Sequence, residues 1–327
     1  MANAITGSSA LSASPTNYSG ANSQLSQAIQ TIWSKEILFQ AMPILRFEQF
    51  AVKKTELGVQ PGLTINFMRY NNLGAASQLV EGVRMETNAL SATQFSITVA
   101  EHGYAVAVSE LLLNASFDDV MASASRLLGR NMATYLDVSA RDTLLTASST
   151  IYGYDKSGLT TITAQSPYDH GVNATTRDGL NGTHYFTTAV VKDAVETLAT
   201  KNTPRLGETY VAFVHPHQSR RLRDDPEFIE VTKYAAPGNF MLGEIGRLND
   251  VVFIETTQVK KVTNTGGKDV YQAIFLGDNA FGHAISLPVE LRDGGILDFG
   301  REHALAWYAI WGLGLITDQS VLKAETN

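Results

Sequence analysis

Apolar positions change their period several times along the chain, and each change marks an element. Residues 1 to about 23 are Ser, Ala, Asn, Gly and Thr with almost no large apolar side chain. They bury too little surface to order alone and read as a flexible N-terminal arm, 1–23. From Ser23 onward Leu25, Ile29, Ile32, Trp33 and Leu38 recur at helical spacing until Pro43 ends the run, which predicts a short helix in an N-terminal region 24–46. Between Phe47 and Leu113 the period falls to two, as in "LTINFMRY" and "FSITVAEHGYAVAVS", where Phe95, Ile97 and Val99 alternate with polar neighbours. These are the strands of a long hairpin occupying 47–113. Its middle, "NNLGAASQLVEGVRMETNALS", mixes Gly, Asn and Ser with Glu81, Arg84 and Glu86 and suits a solvated, twisted tip.

Ser116 reads as an N-cap, with Asp118 and Asp119 placed against the positive end of a helix dipole. Phe117, Met121, Ala124, Leu128, Met132, Tyr135 or Leu136 and Leu144 then hold a helical stripe as far as Leu145. At 1.5 Å per residue this helix is about 45 Å long. Arg126, Arg130, Asp137 and Arg141 are expected on its opposite, polar face.

Residues 149–185 are rich in Thr, Ser, Gly, Asn and Tyr without a sustained period and read as a surface insertion. An α/β segment follows over 186–287. It holds a helix "TTAVVKDAVETLATK", a strand "TYVAFVH", a helix after His215, a strand "VVFIETT" and a hairpin through "VKKVTNTGGKDVYQAIFL". In the C-terminal "HALAWYAIWGLGLIT", Leu305, Trp307, Ala309, Trp311, Leu313 and Leu315 share one face at period two. Ala304, Ala306, Gly312 and Gly314 help keep the other face small, and such a strand can pack a helix closely on either side. The long helix is the natural partner, joining 114–148 and 288–327 into one domain.

The composition narrows the class. At 327 residues with 44% hydrophobic content the chain can bury a sizeable core, and the absence of cysteine removes disulfides, thiolate metal sites and cysteine nucleophiles. The N-terminus lacks both a basic and an apolar region of a secretory signal. No stretch reaches the apolar length of a membrane span. With 25 Lys and Arg against 32 Asp and Glu, the net charge of -7 argues against a surface that grips nucleic acid by neutralising phosphates.

One cluster has the chemistry of an active site. In "YVAFVHPHQSRRLRDDPEF", His215 and His217 are two apart, as ligands on one strand face would be, and Asp224 and Asp225 follow within ten residues. A metal-dependent hydrolase using these four is therefore one alternative. Pro216 favours another, since proline suits the first turn of a helix: His215 then sits at the N-cap and Asp225-Pro226 ends the helix. The remaining histidines, 102, 170, 184, 283 and 303, show no metal-site spacing. "GEIG" at Gly243 and "DGG" at Asp293 lack the frame of a phosphate loop, and no Gly-x-Ser-x-Gly elbow occurs. A third reading, a surface-binding protein whose 149–185 segment contacts a ligand, predicts a small oligomer.

The order of parts resembles the major capsid protein fold of tailed bacteriophages. The resemblance is carried by "LVEGVRMETNALSATQFSITVAEHGYAVAVSE" (Leu79 to Glu110), "HPHQSRRLRDDPEF" (His215 to Phe228) and "GEIGRLNDVVFIETT" (Gly243 to Thr257). In particular it is similar to the podophage branch with a giant virion RNA polymerase. It implies an α+β protein with an N-arm, an extended loop, a peripheral domain with a long spine helix, and an axial domain; the 149–185 insertion matches no part of that plan. It further implies a structural protein without catalytic, cofactor or metal residues. Such a protein self-assembles into the hexamers and pentamers of an icosahedral virion capsid enclosing packaged double-stranded DNA. It would assemble in the host cytoplasm, with scaffold, portal and decoration proteins as further partners, no membrane and no sequence-specific DNA binding. An acidic wall that repels DNA fits this. On the hairpin tip, Glu81, Arg84 and Glu86 beside Leu79, Val80, Val83 and Met85 are candidates for intersubunit contact, with the charges fixing register.

Overall fold

The structure, a computed structural model, describes residues 46–55, 64–70, 73–76, 78, 81–82, 84–85, 87–115, 120–155, 174–225, 228 and 247–327. The arm, the helix expected before Pro43, the cap at Ser116 and Glu86 lie outside the described residues. Strands in chain order are β1 (Val52–Lys54), β2 (Thr64–Tyr70), β3 (Ala92–Thr98), β4 (Ala100–Ser109), β5 (Thr150–Tyr152), β6 (Tyr154–Asp155) and β7 (His184–Tyr185). There follow β8 (Tyr210–Val214), β9 (Arg247–Leu248), β10 (Val251–Glu255), β11 (Lys261–Thr263), β12 (Asp269–Leu276), β13 (Phe281–Leu297), β14 (Glu302–Leu315) and β15 (Val321–Thr326). Helices span Glu110–Ala115, Val120–Leu144, Thr188–Thr200 and Pro216–Arg223.

Contacts divide the chain into two units, one with residues 103–132 and 289–308, the other with 44–102, 133–288 and 309–327. In the second, a seven-stranded sheet runs β5-β15-β12-β8-β10-β9, with β11 paired to β12. Its central strands read as continuous apolar runs because both faces are covered. Tyr210, Ala212 and Val214 of β8 and Ala273 and Phe275 of β12 point into one core with Val190, Val191, Ala194 and Leu198 of the helix Thr188–Thr200 and Leu222 of the helix Pro216–Arg223. The alternate residues Val211, Phe213, Ile274 and Leu276 enter another, with Ala140 and Leu144 of the long helix and Phe47. Side-chain alternation along a strand thus builds two cores from one sheet.

In the first unit, Ala124, Leu128 and Met132 of the long helix are buried, as are Leu305 and Trp307 of β14. Trp307 Nε1 donates to Asn131 Oδ1 at 3.1 Å, so the long helix and the first half of β14 meet in this unit. The burial of Leu305, Trp307, Ala309 and Trp311 at every second position follows the expected face.

Several expectations are corrected. "FSITVAEHGYAVAVS" does not continue as one hairpin strand: β3 pairs with β2 in register Phe67↔Phe95, but after Val99 the chain leaves as β4 and joins the sheet β1-β13-β14-β4. Asp137, expected on the polar helix face, is fully buried, because its Oδ1 accepts the backbone N–H groups of Arg46 and Phe47 at 2.8 Å each. The ends of the 149–185 segment are not a surface excursion. Thr150–Tyr152 pairs with β15, Leu180 is buried, and Arg177 forms a fork-to-fork ion pair with buried Glu325. Sheet pairing also cuts across the boundary drawn at 287/288, which falls inside β13, and β15 lies between β12 and β5.

Candidate functional site

The histidine cluster resolves into helix chemistry. β8 ends at Val214, His215 stays extended (φ -76, ψ 148), and Pro216 starts the helix. His215 Nδ1 accepts the N–H of His217 at 3.1 Å, and Gln218 Oε1 accepts the N–H of His215 at 3.1 Å. Each side chain satisfies a donor that the first helical turn leaves free. The cap needs an unprotonated Nδ1. Burial, followed by the neighbouring His217, pushes the His215 imidazole below its ordinary value; burial and then Arg221 do the same for His217. Both rings lie against Tyr271, with centroids at 4.5 and 5.1 Å.

The carboxylates face elsewhere. Asp225 is buried, and its Oδ2 accepts from Thr188 N–H at 3.0 Å and Thr188 Oγ1 at 3.1 Å, capping the helix Thr188–Thr200. Asp224 closes the His215 helix, its N–H donating to Arg220 O. Among the described residues no three His, Asp or Glu side chains come together to hold a metal. His215→Ala with His217→Ala is expected to cost about 1 to 2 kcal/mol, the scale of a lost cap. Thermal melting checks the size. Stoichiometric zinc or manganese in the wild type that vanishes in the double variant would refute the capping role.

Of the hairpin candidates, Glu81 and Arg84 are solvent-exposed, and Gly82 between them takes φ +82, which a glycine adopts without strain. The ribbon that carries them is unusually apolar on its outside. Met68 and Tyr70 are about two-thirds exposed at positions paired with Gln94 and Ala92, and Leu73, Met85 and Leu90 are exposed beyond them.

A constellation missed by sequence reasoning anchors the segment that precedes the hairpin. Glu48 is buried; its Oε1 accepts from Lys53 Nζ at 2.7 Å and lies 3.0 Å from His283 Nδ1. β1 adds as a parallel strand to β13, with Lys53 opposite His283. Burial alone would raise the Glu48 carboxyl, but the His283 and Lys53 hydrogen bonds outweigh it and hold it below its ordinary value. Nothing local in the sequence marks a glutamate whose partner is 235 positions away.

Among the described residues no catalytic geometry emerges, whereas capped helices and exposed apolar strand surface do. The family model described as phage capsid protein matches residues 92–323, well over half of the chain. The chain belongs to the phage capsid protein family. No curated protein matches it. The capsid structure of cyanophage P-SCSP1u has 15% identity and a TM-score of 0.65 over 86% of this chain and 88% of its own. The capsid of cyanophage Pam1 has 16% identity and a TM-score of 0.65 over 88% and 92%. That of Ralstonia phage GP4 has 17% identity and a TM-score of 0.61 over 86% and 87%. The fold is therefore that of tailed-phage capsid proteins, and a capsid protein is a structural protein, not a hydrolase. The narrower likeness to the podophage branch rests on the sequence motifs alone.

Proposed function

We propose that this capsid protein assembles with copies of itself, as hexamers and pentamers, into the closed icosahedral shell of a virion around packaged double-stranded DNA. The proposal includes assembly in the host cytoplasm, with scaffold, portal and decoration proteins as partners. The observation that carries it is the β2–β3 ribbon. Two strands alone are marginally stable in water, and large exposed apolar side chains along such a ribbon favour a covering surface. A neighbouring subunit supplies one, as in obligate assemblies whose stability depends on oligomerisation. In the same scheme residues 1–23 act as the arm, the β2–β3 ribbon as the extended loop, the unit with residues 103–132 and 289–308 as the peripheral domain, and the seven-stranded sheet with its helices as the axial domain. The net charge of -7 suits a wall that does not trap DNA.

Negative-stain imaging and light scattering of purified protein, alone and with its scaffold, test this. Closed particles are expected; monomers and dimers under every assembly condition would defeat the reading, and a small discrete oligomer would favour a surface-binding protein. A sharper variant is Arg84→Glu at the tip between Glu81 and Glu86. It is expected to reduce the yield of sedimenting particles while leaving the unassembled subunit's melting within about 0.5 kcal/mol of wild type, as exposed substitutions do. Wild-type yield would remove the tip from the intersubunit contacts, and an early-melting free subunit would place Arg84 in the fold instead.

A further inference from the structure

The turn that leads into β7 carries the only Asn-Gly pair of the chain, Asn181–Gly182. Gly182 takes φ +99, a conformation that selects glycine, and without a Cβ its nitrogen is open to the side chain that precedes it. Asn181 is exposed, and its side chain folds back over the turn, Oδ1 accepting the N–H of Thr183 at 3.2 Å. The same oxygen lies 2.6 Å from Thr183 Oγ1 and 2.9 Å from His184 Nδ1, which donates in the tautomer protonated there. Thr183 Oγ1 is equally 2.6 Å from Asp155 Oδ1, so its one proton serves one of the two oxygens at a time. Donors gathered on a carbonyl oxygen polarise the carbon behind it and stabilise the negative charge that an attack on that carbon creates.

The nucleophile beside this carbonyl is held. The N–H of Gly182 donates to Asn327 Oδ1 at 3.0 Å. Asn327 is buried and fixed on two further sides, its N–H donating to His184 O and its Nδ2 to Asp269 O, each at 2.8 Å. An amide nitrogen attacks only after giving up its proton, and a base must reach that proton to take it. Here a buried carbonyl oxygen occupies the place the base needs.

We infer that Asn181–Gly182 is a self-modification site and that Asn327 is its gate. When the bond from Gly182 to Asn327 opens, base removes the Gly182 proton and the nitrogen attacks Asn181 Cγ. The Cγ–Nδ2 bond breaks, and Nδ2 leaves as ammonia with a proton that replaces the one removed, so a succinimide ring remains and nothing is oxidised or reduced. Water then opens either of the two carbonyl–nitrogen bonds of the ring, giving aspartate or isoaspartate. The new carboxylate faces Asp155 across the Thr183 hydroxyl, and isoaspartate lengthens the backbone where Gly182 and His184 hold Asn327. The site belongs to the subunit itself and is independent of the shell reading.

Three full-length chains test it: wild type, Asn327→Ala and Asn327→Asp, held for days at mildly alkaline pH. Peptide mapping and isoaspartyl methyltransferase labelling follow aspartate and isoaspartate at position 181. Wild type is expected to convert slowly and to give both products. Asn327→Ala keeps the backbone bond to His184 but removes the acceptor, so conversion is expected to rise about tenfold, the scale of one lost hydrogen bond at the reacting nitrogen. Asn327→Asp keeps an acceptor for Gly182 and loses only the donor to Asp269, so its rate is expected to stay near that of wild type. An asparagine that survives in Asn327→Ala, or aspartate formed without isoaspartate, would overturn the site. Equal acceleration in the two variants would overturn the gate. So would rates that follow the melting temperatures of the variants instead of the presence of the acceptor.

Discussion

Gly312→Ala is expected to lower the stability of the unassembled subunit by about 3 kcal/mol or more, beyond the usual cost of an added methyl group in a packed site. A Cβ at Gly312 would lie 2.2 Å from Thr98 O, 2.9 Å from Thr98 C and 3.1 Å from Val99 Cα. These are backbone atoms at the end of β3, where the chain turns into β4, so no rotamer change makes room. Relief requires β3 and β14 to move apart, which disturbs buried Ile97 and Val99. Gly314→Ala should be milder, because the added carbon meets the Ile97 side chain, Cγ1 at 2.7 Å and Cδ1 at 3.1 Å, which can turn aside. Gly74→Ala meets nothing within 4 Å and should be close to neutral. Urea unfolding of the three variants measures the order. If Gly312→Ala unfolds no earlier than Gly74→Ala, the close approach of the two strands is not present in solution.

The small face of β14 shows how far a pattern alone carries. Period two in "HALAWYAIWGLGLIT" gives the strand and its bulky face, and both are present. The small positions suggest a close neighbour, and for Gly312 and Gly314 that neighbour is β3, where the sequence reading placed a helix. A missing side chain announces proximity without naming the partner. His215 is the opposite case. Its cap, the proline at the first helical turn and the glutamine three residues on are all local, so the helix reading could be reached from adjacent residues.

Where the decisive partner is distant, the reading fails. Helical periodicity puts Asp137 on the polar face and cannot see that Arg46 and Phe47 bring it two backbone donors from 90 residues away. Thr150–Tyr152 looks like part of an irregular insertion because a three-residue strand has no period of its own. It becomes a strand only by pairing with Lys323–Glu325. The ribbon is legible as a hairpin, but the exposure of Met68 and Tyr70, on which the proposed intersubunit use rests, is seen only in the structure. For Phe299 the sequence offers "LDFG", a turn with a glycine beside the aromatic, and no hint that the phenylalanine takes the left-handed position.

The second large effect is expected at Glu48, and it depends on pH. Glu48→Ala should cost about 3 kcal/mol at neutral pH, since it strips a buried histidine of its carboxylate and leaves a gap beside it. Glu48→Gln should cost less and is the better probe, because it keeps the shape and removes only the charge. The folded-state pKa of Glu48 lies below its ordinary value of 4.5, so its contribution is complete above that pH and is lost as pH falls through the folded value. Asp137 shifts the other way: burial raises its carboxyl above 3.8 despite the N–H groups of Arg46 and Phe47. Its protonation in acid therefore favours the folded form and cannot account for lost stability. The depressed His215 titrates in a different window, below its ordinary 6.5, and weakens the helix cap as it takes up a proton. Melting temperatures of wild type and Glu48→Gln, measured from neutral pH to below 4.5, should differ most at neutral pH and converge in acid. Parallel curves would mean that the Glu48 charge adds nothing to the anchor of residues 46–54, and a gap that widens in acid would reverse the sign of the argument.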